Sequence, residues 1–99
     1  MAKKITAETA EKQAIKHYLQ IYGCFYYYNL AGVCSFKGIP DLTAIDRRGQ
    51  VWQIEVKSEK GKQSENQKKF QEEWEARGGK YICGGLNEVI NKMKINYET

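Results

Sequence analysis

The stretch from Asp41 to Lys57 constrains the fold of this chain more than any other. Asp41 to Asp46 and Gln50 to Lys57 alternate polar and apolar residues at the period of a β-strand. Between them, Arg47-Arg48-Gly49 is a short loop whose glycine can take the left-handed position of a bulged hairpin turn. With Asp46 facing Gln50, counting outward puts Asp41 opposite Glu55, with Lys57 two residues farther along the same face. Leu42, Ala44, Trp52, Ile54 and Val56 then share the other face. The hairpin is therefore expected to turn an apolar side to a core and a polar side, carrying Asp41, Thr43, Gln53, Glu55 and Lys57, away from it.

The flanking segments read as helices and short strands. Thr6 can cap a helix running to about Tyr22, because Ala14, Ile15, Tyr18, Leu19 and Tyr22 form one apolar stripe, and Gly23 stops it. Cys24 to Tyr28 reads as an aromatic strand, followed by an irregular loop from Asn29 to Lys37. Ser64 starts a second helix reaching about Arg77, with Phe70 and Trp74 on the side that should face the sheet and Gly78-Gly79 as its stop. Lys80 to Cys83 is a short strand, Gly84-Gly85 a turn, and Leu86 to Lys94 a last helix built on Leu86, Val89, Ile90 and Met93. The expected order is α-β-β-β-α-β-α, an α/β fold with a central mixed sheet flanked by helices and one domain over residues 1–99.

Composition narrows the function classes. No apolar run approaches the ~20 residues of a membrane span, and Met1 to Ala10 is polar, so an intracellular location is expected. Cys24, Cys34 and Cys83 are odd in number and contain no CxxC pair, which argues against a disulfide framework or a zinc cluster and for small apolar core or loop residues. The net charge of +4 leans toward a polyanionic partner without demanding one. His17, the single histidine, points away from the apolar stripe of its helix, which argues against histidine-based chemistry.

The polar face of the hairpin carries the chemistry. Two carboxylates facing each other would repel strongly without a cation between them, and carboxylates holding a divalent metal can neutralise a phosphate and activate water. Lys57 adds a positive charge able to orient the water or stabilise developing negative charge. Pro40, the single proline, stands where the strand begins and its missing N–H costs little.

Gly38-Ile39-Pro40-Asp41 followed by Glu55-Val56-Lys57 resembles the PD-(D/E)xK nuclease signature, and more narrowly the VRR-NUC (virus-type replication-repair nuclease) group. The resemblance runs from the Glu11 region through Gln67 to Tyr81 and is similar to the minimal stand-alone form found in phages and prophages. It implies that Asp41, Glu55 and the backbone carbonyl of Val56 bind Mg²⁺ or Mn²⁺, that Lys57 is the catalytic lysine, and that Glu11 matches the family's helical glutamate. Helix geometry sets Glu11 near the middle of the apolar stripe, where an unpaired carboxylate is costly to desolvate, and Glu8 near its edge as the second choice.

Several residues have two readings. Ser64-x-x-Gln67 is a capping box, which accounts for Gln67 without chemistry, whereas the resemblance puts a glutamine here beside the active site. Lys60, Lys62, Lys68 and Lys69 can contact phosphates or form a solvated helix start. Arg47 and Arg48 read as solvated turn residues, and Tyr26, Tyr27 and Tyr28 as packing residues in preference to base-stacking ones. The resulting expectation is a Mg²⁺- or Mn²⁺-dependent endonuclease selective for branched DNA such as four-way junctions, acting as a homodimer. A sequence-specific restriction-type enzyme and a non-catalytic DNA-binding module are the alternatives.

Overall fold

The computed structural model describes residues 5–32 and 35–94, so Cys34 lies outside the described residues. The elements are α1 (Ala7–Ile21), β1 (Phe25–Tyr28), β2 (Leu42–Ile45), β3 (Val51–Val56), α2 (Glu65–Ala76), β4 (Lys80–Gly84) and α3 (Leu86–Met93), in the order the sequence implies. The strands form one mixed sheet in the order β1-β2-β3-β4, with β1 to β3 antiparallel and β4 parallel to β3. Among the described residues, no helix is long and apolar enough to cross a membrane.

Local chemistry sets the element ends. Thr6 Oγ1 accepts the Thr9 N–H at 3.1 Å and starts α1. The β2–β3 hairpin closes through Asp46 N–H to the Gln50 carbonyl at 3.0 Å and Gly49 N–H to the Asp46 carbonyl at 2.9 Å, with Gly49 at φ +85°. Leu42 pairs with Ile54 and Thr43 with Gln53, which is the expected register.

One face of the sheet carries the core. Leu42, Ala44, Trp52, Ile54, Val56 and Ile82 pack against Ile15, Tyr18 and Leu19 of α1 and Val89 and Met93 of α3. The opposite face is covered at its β4 side by α2, where the Phe70 ring meets the buried Tyr81.

Three expectations need correction. Ile90 is 41% exposed, because α3 turns only its Val89 and Met93 side fully inward. Phe70 and Trp74 face the sheet as expected and stay half-buried, since α2 covers a single edge of that face. Tyr27 and Tyr28 are exposed because β1 is an edge strand; Tyr26 packs on the core and its hydroxyl accepts from Gln20 Nε2. Arg48 is a tether: its guanidinium donates to Asp46 Oδ2 and to the Met93 carbonyl, each at 2.8 Å.

Asp46 is the hub of that tether. It is buried, yet it also accepts the Trp52 indole N–H at 3.1 Å and the backbone N–H groups of Arg48 and Gln50. Burial alone would raise its carboxyl pKa, but these donors outweigh burial and hold it below the ordinary value. His17 is exposed, as its position on the helix implies. Cys24 and Cys83 are free thiols whose pKa values are raised, chiefly by burial.

Candidate functional site

The approach of the chain to Asp41 is built from both sides. Gly38 has φ +79°, and a Cβ there would collide with the Asn66 carbonyl, so the segment can cross the start of α2 closely only as glycine. Pro40 is fully buried. Asn29 Nδ2 donates to the Pro40 carbonyl at 3.2 Å and to Thr43 Oγ1 at 3.0 Å, and the Asn29 N–H reaches the Asp41 carbonyl at 2.8 Å. Thr43 Oγ1 in turn donates to Gln53 Oε1 at 2.9 Å. This polar chain from Asn29, just past β1, through β2 to β3 leaves the Asp41 backbone little freedom.

Asp41 and Glu55 meet at the end of the hairpin. Asp41 Oδ2 accepts the Val56 N–H at 2.7 Å, and Lys12 Nζ lies 3.3 Å from Asp41 Oδ1. Glu55 is 3% exposed, and its carboxyl is pushed up to about 8, first by burial and then by its hydrogen bond with Asp41 and the charge of that residue. Lys57 Nζ stands 4.0 Å from Glu55 Oε2 and opposes the shift, while Glu8 adds to it. Asp41, Glu55 and Lys57 are thus brought together on one face, and Val56 is tied to Asp41 through its N–H.

Glu11 has a use that sequence reasoning missed. Its Oε2 accepts the Leu86 N–H at 2.7 Å, capping α3, whose own N-cap, Gly85, has no side chain to do so. A Cβ on Gly85 would lie 2.5 Å from that oxygen, so the glycine makes room for the carboxylate. Glu11 also lines a cleft of about 250 Å³ together with Lys57 and Cys83. Glu8, the second choice, is ion-paired at 3.9 Å with the same Lys12 that faces Asp41. Lys12 escaped the sequence reading; its helical spacing from Glu8 was the available signal.

Gln67 completes the capping box, its Oε1 accepting the Ser64 N–H at 2.8 Å while Ser64 Oγ accepts the Gln67 N–H at 3.2 Å. The Gly38 segment crosses beside it. Lys60 and Lys62 are exposed after β3, Lys68 pairs with Glu65 at 3.7 Å, and Lys69 is exposed on α2. None of the four joins the Asp41–Glu55 pair among the contacts of the described residues.

Among the described residues, no group of three or more His, Cys, Asp or Glu side chains converges as a metal cage. The centre is a pair. Two adjacent carboxyls, one of them buried, need either a shared proton or positive charge beside them; Lys12 and Lys57 each bring an ammonium, and the hard carboxylate oxygens suit a hard divalent ion. The donor set therefore fits such an ion.

No family model and no curated protein matches the chain. Among solved structures, one described as a VRR_NUC domain superposes with a TM-score of 0.76 at 27% sequence identity, over 93% of this chain and 98% of that one. Fold, strand order and near-complete mutual coverage agree with the motif resemblance: over almost its whole length the chain is similar to a VRR-NUC domain and shares its nuclease fold.

Proposed function

We propose that this chain is a metal-dependent DNA endonuclease whose site comprises Asp41, Glu55 and Lys57, with residues 1–99 acting as one intracellular domain. The observation that carries the reading is the pairing of the buried Glu55 carboxyl with the partly exposed Asp41 carboxylate, with the Lys57 ammonium 4.0 Å from Glu55. Asp41, Glu55, the Val56 carbonyl and Glu11 would hold Mg²⁺ or Mn²⁺. Such an ion supplies Lewis acidity and lowers the pKa of bound water.

The protein groups do the rest. Lys57 orients the attacking water and stabilises the charge that develops on the phosphate. The water oxygen bonds to phosphorus, a backbone P–O bond breaks, and the leaving oxygen takes up a proton. Gln67 supports the site from the start of α2, and Lys60, Lys62, Lys68 and Lys69 contact flanking phosphates.

Few elements are available to read a long sequence, which favours structure-selective cutting of branched DNA by a homodimer. The test is cleavage of branched and linear DNA in Mg²⁺, Mn²⁺ or EDTA by wild type, Asp41→Asn and Lys57→Ala; equal cutting by all three refutes the assignment. One observation favours a second reading, a non-catalytic DNA-binding module: Glu11 is engaged by the Leu86 N–H and Asp41 by Lys12. Metal-independent binding with no cleavage at any protein concentration would select it.

A further inference from the structure

We infer that the aromatic groove along α2 receives an unpaired base of the DNA strand that the proposed site cuts. The inference rests on the nuclease reading, but its observations lie outside the carboxylate site. Phe70 and Trp74 stack with centroids 5.9 Å apart and ring planes 15° apart. Phe36 stands edge-on to Phe70 at 5.8 Å and is 65% exposed. The Trp74 indole is held by its N–H to the Lys80 carbonyl at 2.9 Å, so the ring is fixed while part of it remains open. Around these rings runs a groove of about 920 Å³, within the range of sites that hold a small organic group.

Charge and position select the occupant. Lys37 and Lys69 line the groove, and neither forms an ion pair with another described residue. Of the acids there, Glu73 is neutralised by Arg77 at 2.6 Å, which leaves Glu72 as the remaining negative charge. Flat rings flanked by lysines match a base and its phosphates, since every base offers a π-face and ring stacking tolerates any sequence. Fully paired DNA presents no free base face to such rings.

The groove is also connected to the site along the chain. Its wall includes Lys37, four residues before Asp41, so the two lie at most about 14 Å apart, or about four nucleotides at duplex rise. Its other wall begins at Asn66, whose carbonyl touches Gly38 on the way to Asp41. A strand leaving the carboxylate pair can therefore lay a base into the groove without a change of fold.

The experiment uses the two tryptophans as separate reporters, because Trp52 is buried in the core and Trp74 is in the groove. In EDTA, the protein is titrated with a duplex bearing an oligo-dT tail and with the same duplex blunt-ended. Tryptophan quenching is expected with the tailed duplex alone and absent from Trp74→Phe, which keeps a stacking ring. Phe36→Ala is expected to weaken tailed-DNA binding roughly 5- to 150-fold and leave blunt-duplex binding unchanged.

Equal quenching by both duplexes, or wild-type affinity of Phe36→Ala for the tailed one, overturns the inference. So does a mass rising with concentration in light scattering that Phe36→Ala abolishes, which would make the groove a contact between copies of this chain. Cleavage in Mg²⁺ separates the two readings. Wild type that cuts, with Phe36→Ala indistinguishable in binding, sinks the groove and keeps the nuclease; tail-dependent quenching by a wild type that never cuts does the reverse.

Discussion

The carboxylate of Asp41 accepts the backbone N–H of Val56 at 2.7 Å, across the gap between the start of β2 and the end of β3. Val56 stands between Glu55 and Lys57 in the chain, so this bond ties all three polar groups of the hairpin end to one backbone segment. The same carboxylate turns its other oxygen to Lys12 of α1 at 3.3 Å. Asp41 thus joins the sheet to the helix that also carries Glu8 and Glu11.

Asp41→Asn keeps an oxygen able to accept the Val56 N–H but loses the charge. Its thermal midpoint is expected to stay within about 5 °C of wild type, while DNA cleavage in Mg²⁺ falls at least about 100-fold. Retention of more than a tenth of wild-type activity would remove Asp41 from the site.

Metal dependence has a readout besides activity. Mg²⁺ or Mn²⁺ at a hundredfold excess over its Kd is expected to stabilise the wild-type fold by about 2.7 kcal/mol, seen as a rise in melting temperature that EDTA reverses. Glu55→Gln should show little of that rise, because the carboxyl it replaces is the buried member of the pair. An equal rise in both proteins would place the ion elsewhere.

Two variants of Glu11 separate its two uses. Glu11→Gln still offers an oxygen to the Leu86 N–H, so its stability should match wild type, whereas Glu11→Ala uncaps α3 and should cost about 1 kcal/mol. If Glu11 also serves the metal, both variants cut poorly; full cleavage by Glu11→Gln would confine this residue to the cap.

For Gln67 the capping box is already engaged on both sides. Gln67→Ala is expected to lower stability by about 1 kcal/mol and the cleavage rate at 25 °C by less than tenfold. A larger rate loss in protein shown by circular dichroism to be folded would assign it a part in the chemistry.

Asp46 links stability to acid pH. Its pKa is lowered in the fold, so its contribution is present above the unfolded value of 3.8 and is lost as pH falls through the lower folded value. Asp46→Asn should therefore be less stable at pH 7, by about 2–4 kcal/mol given the donors left without a charged acceptor, and the gap to wild type should narrow below about pH 4. Urea melts at pH 7 and pH 3 measure both; a gap independent of pH would mean that the charge of Asp46 is not what the donors hold.

The hairpin and the helix starts were legible because their causes are local. Strand alternation, a short loop ending in Gly49 and a single facing pair suffice to set Asp41 against Glu55, and Thr6 and Ser64 announce their helices within three residues. The mixed sheet followed from the order of elements and from the connection through α2, which allows β4 to run parallel to β3.

Other features depend on how finished elements lie against one another, and no periodicity encodes that. Glu11 caps Leu86 because α1 and α3 pack side by side; the two residues are 75 apart in sequence. Lys12 meets Asp41, and Arg48 meets the Met93 carbonyl, for the same kind of reason. Ile90 and Tyr27 looked apolar and hence inward, but burial is a property of the neighbours a face acquires, and α3 and β1 each acquire them on one side only. The sequence by itself determined which acids share a strand face; tertiary packing decided which of them stays buried, what each carboxylate oxygen bonds and which aromatic rings remain open, because those outcomes turn on contacts between distant segments.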